Sequence, residues 1–207
     1  MKYLPGGTVY GTLLNFRAEF EALAPRMNEP PYQSPPIAPV LYIKPANTWS
    51  PDGTPVPVPT RVSEVEVGAT VAMVMNAPGQ IGGYVLMNDL SLPHASFFRP
   101  PVRFKCLDGF LGVGSQLVDV DAAGDPARFR LEVRINGALR QTVTFDNLVR
   151  DAQRLLADVC EFMTLGAGDA LMLGCDAGRP LARVVDRIEI SAAALGTLAN
   201  TLVAEAA

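Results

Sequence analysis

Two adjacent apolar runs constrain this chain more than any other feature. Val62 to Met75 alternates at first and then becomes continuously apolar, the pattern of a strand that leaves a sheet edge and enters a core. Asn76-Ala77-Pro78-Gly79 reads as a turn, and Ile81 to Leu90 returns as a second strand. That second run ends on Asn88 and Asp89, where polar groups are well placed for binding or chemistry. A polar turn comes next (Ser91, Pro93, His94), and then Arg99, Arg103 and Lys105 come close to Asp108. Three cations and two carboxylates on one short segment suit an anionic ligand, or a metal carrying one.

The rest of the chain reads as short strands with few helices. Thr8 to Leu14 is strand-like, and Asn15 stands where it would cap a helix carrying Phe16, Phe20 and Leu23. Asn28 to Pro39 is Pro-rich and extended, and Val40 to Ile43 is a short strand ending on Lys44. The prolines between Pro45 and Pro59, with Trp49, argue for a covering loop rather than a ladder strand. Strands are expected at Ser115–Val120 and Arg128–Ile135, and Asn136-Gly137 is a strong hairpin signal leading into Ala138–Phe145. Asp146 or Asn147 would cap an amphipathic helix with Leu148, Ala152, Leu155, Leu156, Val159 and Phe162 on one face. Ala170–Leu173 and Asp186–Ile190 read as strands, while periodicity leaves Leu195–Val203 open between strand and helix. The fold class is α+β, mainly β, in a single domain over residues 1–207.

Composition narrows the function classes. With 49% hydrophobic and 18% charged residues the chain folds rather than staying disordered. A net charge of -4 provides no basic field, which argues against a nucleic-acid partner. No apolar run reaches membrane-spanning length and residues 1–10 lack a signal-peptide pattern, so a cytoplasmic protein is expected. Cys106, Cys160 and Cys175 are widely spaced and read as reduced thiols. A mean hydropathy of +0.20 is high for a soluble monomer and points to apolar surface covered by another subunit.

Glu64-x-Glu66 places two carboxylates on one face of a strand, and with Asp89 they would supply three oxygens to Mg2+. The string from Gly83 to Gly109, GYVLMNDLSLPHASFFRPPVRFKCLDG, resembles the G-Y-x-x-x-N-D … R-P-x-x-x-x-K-x-x-D-G signature of the fumarylacetoacetate hydrolase family. Within the family it is similar to the N-terminal half, or separate small subunit, of the isomerase/decarboxylases of homoprotocatechuate (4-hydroxyphenylacetate) breakdown. The resemblance also takes in Lys44 of Y-I-K-P-x-N-T and the Leu165-Gly166-x-Gly168-Asp169 turn, and runs from Gly7 to about Ile190. It implies a mixed β-roll or sandwich with the site at one open end of the strands.

The family's chemistry transfers only in part. Its E-x-E leads straight into an apolar run, which here is best matched by Thr70 to Met75; that register puts Val67 and Ala69 at the ligand positions and Glu64 and Glu66 outside the site. The family's acid/base segment matches from Asn15 onward, with Glu19 at its histidine position and Ala22 at its glutamate position. Its substrate-contact turn reads Leu173-Gly174-Cys175-Asp176-Ala177-Gly178. The resemblance leaves Lys105 and Asp89 as catalytic candidates, with Lys105 stabilising charge, and Lys44, Arg99, Arg103 and Asp108 as substrate-binding candidates. It assigns no metal ligand to this chain with confidence; Mg2+ enters if the Glu64/Glu66/Asp89 register holds, or through a partner subunit. Three readings stay open. One is a subunit of 5-oxopent-3-ene-1,2,5-tricarboxylate decarboxylase and 2-hydroxyhepta-2,4-diene-1,7-dioate isomerase, a lyase/isomerase inactive without a partner. Another is a degenerate scaffold for a metal-competent paralogue in a homo- or hetero-oligomer, and the third is an independent metal-dependent hydrolase of acylpyruvate type.

Overall fold

The computed structural model describes residues 2–94, 96, 98 and 101–206. The first half of the chain forms β1 (Val9–Leu13), β2 (Val40–Lys44), β3 (Trp49–Pro51), β4 (Pro55–Val58), β5 (Val65–Glu66), β6 (Ala69–Ala77) and β7 (Gln80–Asp89). The second half adds β8 (Leu111–Val113), β9 (Val118–Asp119), β10 (Arg130–Ile135), β11 (Ala138–Thr144), β12 (Ala170–Met172), β13 (Leu181–Ala182), β14 (Arg187–Ala192) and β15 (Gly196–Ala204). Among the described residues four short α-helices intervene: α1 (Arg17–Leu23), α2 (Val102–Lys105), α3 (Val120–Ala123) and α4 (Ala152–Cys160). An eight-stranded mixed sheet has the order β2-β1-β12-β6-β7-β8-β3, with β9 pairing to β7; a five-stranded sheet has the order β11-β10-β14-β15-β4. The architecture is mainly β, as the sequence pattern implies.

The continuous apolar runs of β6 and β7 have a direct cause. Val71, Met73, Met75 and Leu86 face the core shared with the five-stranded sheet, where they join Leu131, Val133, Ile188, Ile190 and Leu198. Ala72, Val74, Val85 and Met87 face the other way, onto a second core with Val9, Leu13, Leu23, Met27 and Tyr42. Both faces of these strands are dry, so neither can carry the polar alternation of a half-solvated strand. Between the sheets Tyr84 meets Phe129 edge-on, and Phe16 meets Phe145 the same way, each with ring centroids 5.3 Å apart. The Asn136-Gly137 hairpin forms as expected, with both residues at positive φ and β10 paired antiparallel to β11.

Several sequence expectations are corrected. The segment from Pro45 to Pro59 holds two strands: β3 pairs with β8, and β4 pairs with β15. Both lie at sheet edges, where one side of the strand needs no N–H partner and proline is tolerated. Val62–Met75 is broken at Gly68 into β5 and β6. Of Ser115–Val120 only Val118 and Asp119 pair, because the Asp119 carboxylate accepts the Asp121 N–H and starts α3. Asp151, not Asp146 or Asn147, caps α4 by accepting the Arg154 N–H at 2.8 Å. Leu148 is held instead in a bridge to Phe16, and Phe162 lies beyond the helix and exposed. The C-terminal run is a strand, β15.

The corner between β1 and α1 sets where the Glu19 side chain goes. Asn15 does not cap α1; its buried amide donates to Leu173 O and Arg150 O and accepts the Arg150 N–H. Leu14 adopts φ +60°, uncommon for a side-chain-bearing residue, and its N–H donates to Glu19 Oε2 at 2.6 Å. The chain therefore turns sharply and delivers the Glu19 carboxylate back to the strand end. In the next strand pair Gly11 stands opposite Tyr42, whose ring occupies the place a Cβ would take. Gly11→Ala should accordingly lower the unfolding free energy by about 1–3 kcal/mol. The check is a urea titration: a lower midpoint at constant slope is expected, and an unchanged midpoint would show that the ring is not held there.

Candidate active site

Asp89 is the last residue of β7, and its N–H donates to Gly68 O in the break between β5 and β6. Its carboxylate is fully buried. Lys105, at the end of α2, reaches it with Nζ 2.6 Å from Oδ2, and Lys44, at the end of β2, brings Nζ to 2.8 Å from Oδ1. Both lysine side chains are completely inaccessible. Lys44 also donates to the carbonyls of Leu90, Lys105 and Phe110, so four acceptors surround its three protons. The Tyr42 hydroxyl donates to Asp89 Oδ2, and the Lys105 ammonium lies 4.8 Å above the Tyr42 ring. Cys175 completes the cluster, with Sγ 3.9 Å from Asp89 Oδ2.

The electrostatics follow from burial and proximity. Burial works to raise the Asp89 carboxyl, but the Lys105 and Lys44 ammonium groups override it and hold the group well below the usual carboxylate range. Burial draws the Lys44 ammonium down to about 8 against the opposing pull of Asp89. Burial, reinforced by the Asp89 charge, pushes the Cys175 thiol up to about 12. Cys175 is thus a buried, protonated packing residue near neutral pH.

Beside this cluster lies a cavity of about 260 Å³, lined by Glu19, Ala22, Arg26, Glu66, His94 and Arg179 among others. Glu19 and Ala22, which stand at the family's dyad positions, both face it. Arg179 bridges two carboxylates, with Nη2 on Glu19 Oε1 and Nη1 3.4 Å from Glu66 Oε2. Burial raises the Glu19 carboxyl and Arg179 opposes that rise. His94 is half-buried rather than on the surface: Nδ1 lies 2.8 Å from Leu92 O and the ring stacks on Phe104 at 4.7 Å. Burial lowers its pKa.

The structure separates the residues singled out in sequence. Asp89, Lys44 and Lys105 converge. Arg103 is exposed on α2, and Asp108 is exposed and accepts a bond from the Asn47 side chain at 2.6 Å, so neither joins them. Arg99 lies outside the described residues. Val67 and Ala69 are both buried and flank Gly68, whose carbonyl accepts the Asp89 N–H, but both pack in the core shared with the five-stranded sheet rather than beside the Asp89 carboxylate. Glu64 is outside the site, paired with Arg183 at 2.6 Å, but Glu66 lines the cavity and is not wholly removed from it. Glu64, Glu66 and Asp89 therefore do not converge, each being neutralised by a different cation. Among the described residues no group of three or more His, Cys, Asp or Glu is placed to hold a metal ion, and this donor set does not fit one. Sequence reasoning missed Arg179; the available signal was an arginine directly after Gly178 in the family's substrate-contact turn.

Known proteins resemble this chain over nearly its whole length. Residues 8–203 match the family described as Fumarylacetoacetate (FAA) hydrolase C-terminal. The chain is 38% identical to the 4-hydroxyphenylacetate degradation bifunctional isomerase/decarboxylase of Salmonella dublin over 96% of its own length, and 34% identical to that of Escherichia coli over the same share. It spans 48% of the length of each of these curated relatives. Among solved structures, the 5-carboxymethyl-2-hydroxymuconate delta-isomerase of Mycobacterium smegmatis superposes with a TM-score of 0.80 at 24% identity, covering 99% of this chain and 79% of the other. The 2-hydroxyhepta-2,4-diene-1,7-dioate isomerase of Mycobacterium marinum gives 0.79 at 23%, covering 100% and 78%. At these identities the superpositions establish the fold. No described helix is long and apolar enough to cross a membrane.

The ion cluster makes a stability prediction. Asp89→Asn leaves two buried ammonium groups without their counter-charge and should cost about 3–5 kcal/mol near neutral pH. Because the native Asp89 pKa is depressed, its contribution is fully present above the unfolded carboxylate value of about 4 and is lost as pH falls toward the native value. Stability measured by denaturant titration should therefore fall less steeply below pH 4 in Asp89→Asn than in the wild type. Parallel acid limbs in the two proteins would contradict the assignment.

Proposed function

Since the chain belongs to the fumarylacetoacetate hydrolase family, we propose that it acts as a subunit of an isomerase/decarboxylase of aromatic catabolism, converting small di- and tricarboxylates such as 5-oxopent-3-ene-1,2,5-tricarboxylate. The observation that carries this reading is the fully buried Asp89–Lys44–Lys105 cluster at the end of β7. Burying three charges is costly, and apolar residues of similar volume would hold the fold as well or better, so the cluster is better explained by chemistry than by stability. Loss of carbon dioxide β to a carbonyl leaves an enolate, and tautomerisation passes through the same kind of anion. A fixed ammonium stabilises that charge without reorganising, the role assigned to Lys105, with Asp89 fixing its position and Lys44 fixing Asp89. No step is assigned to a metal bound by this chain.

The half-length match to its relatives supports a paralogous partner domain or subunit. So does an apolar groove of about 540 Å³ along the edge strand β2, where Ile43, Phe98 and Val102 are exposed. A second reading, a scaffold subunit, is favoured by the complete occlusion of Lys105 and by Ala22 at a family acid/base position.

Assays of tricarboxylate decarboxylation and of 2-hydroxyhepta-2,4-diene-1,7-dioate isomerisation, with and without Mg2+, separate these readings. The chain alone is expected to be weakly active or silent, and to turn over once a metal-competent paralogous subunit is added. Lys105→Met in this chain should then lower kcat by about 100-fold or more, the usual effect of removing a charge-stabilising donor. Unchanged turnover would favour the scaffold, and Mg2+-dependent turnover by the chain alone would return Glu64 and Glu66 to the site.

A further inference from the structure

Arg179 takes no part in the buried lysine–aspartate cluster, yet it sits where two other carboxylates meet. Its side chain is only 10% exposed, and it lies in the wall of the 260 Å³ cavity between Glu19 on α1 and Glu66 on β5. Glu19 fixes one end firmly: it takes Nη2, and is itself fixed by the Leu14 N–H. The other two contacts are long, with Nη1 3.4 Å from Glu66 and Nε 3.4 Å from Asp176 O. At such distances a guanidinium still has donor capacity to give, and its planar fork matches a carboxylate. Glu66, at 22% exposed, is the more accessible and the more distant of the two carboxylates. Behind the wall the two lysines exceed Asp89 by one positive charge, which offsets one of the two glutamates paired with Arg179.

We infer that Arg179 is a ligand-anchoring residue that binds a carboxylate group of a small organic acid in this cavity, displacing Glu66 and needing no divalent ion. The Glu19 pair holds the guanidinium in place while its Nη1 and Nε edge turns to the ligand. The cavity is near the small end of ligand sites, which suits a compact acid rather than a nucleotide or a coenzyme. This inference rests on the proposed action on di- and tricarboxylates, and gives that substrate class its fixed point of attachment.

Glutarate is the probe, titrated by calorimetry into the purified full chain with EDTA present. Saturable binding is expected, unaffected by EDTA, weakened by about tenfold or more in Arg179→Met and less in Arg179→Lys, the loss of roughly one charge-assisted hydrogen bond. Because Arg179→Met leaves Glu19 and Glu66 facing each other, Glu66→Gln provides a second arm. It keeps the Glu19 pair, removes the competing carboxylate, and should tighten binding. No binding by the wild type, binding abolished by EDTA, or equal or weaker affinity in Glu66→Gln overturns the anchor. Turnover is read separately, with the metal-competent paralogous subunit added: catalysis that persists without Arg179-dependent binding sinks the anchor alone, and binding without turnover in that complex sinks the proposed reaction alone.

Discussion

A single carboxylate, shut away from water, has to be neutralised from two distant parts of the chain. Asp89 ends an interior strand of the large sheet, and its counter-charges arrive from residue 44 on the sheet's edge strand and residue 105 on a short helix. Neither lysine is stable in that position without the carboxylate, and the carboxylate is not stable without them. The paths of β2 and α2 are thus tied to β7 by charge as well as by packing. The Lys44 ammonium extends the tie to the backbone, gathering carbonyls from residues 90, 105 and 110 onto one point.

The rest of the architecture provides the dryness this arrangement needs. Both faces of β6 and β7 are covered, and the cavity between α1, β5 and Arg179 lies beside the strand end that carries Asp89. Charge is arranged there in two layers: a sealed one of Asp89 with two lysines, and an outer one of Arg179 with two glutamates. In a low-dielectric setting each layer biases the other, so Glu19 is influenced by Lys105 and Asp89 as well as by its direct partner.

How much of this was legible in the sequence depended on whether a residue's role is local. The β6–turn–β7 pair, the Asn136-Gly137 hairpin and the strand-end position of Asp89 follow from periodicity and turn chemistry, and the structure has them. The register read from the apolar run put both Glu64 and Glu66 outside the site; Glu64 does lie away from Asp89, paired with Arg183, but Glu66 lines the cavity. What failed was decided by tertiary partners. Pro55 and Pro57 are strand residues only because β4 falls at an edge, and Asn15 gives up its cap to bond residues 150 and 173. Arg179 was invisible for the same reason, since its partners Glu19 and Glu66 lie 160 and 113 positions away. Arg103 and Asp108 show the converse, since nearness in sequence to Lys105 did not bring them to its carboxylate.

The three thiols differ in a way that matters at the bench. Cys175 is sealed against Asp89 with its ionisation pushed to about 12, while Cys160, at the end of α4, is exposed and Cys106 is partly so. Alkylating and disulfide-forming reagents attack thiolates they can reach, so the chain sorts its own cysteines by reactivity. A fluorophore or spin label placed at Cys160 would report on the chain from outside the charge cluster, with the sulfur nearest that cluster left unmodified.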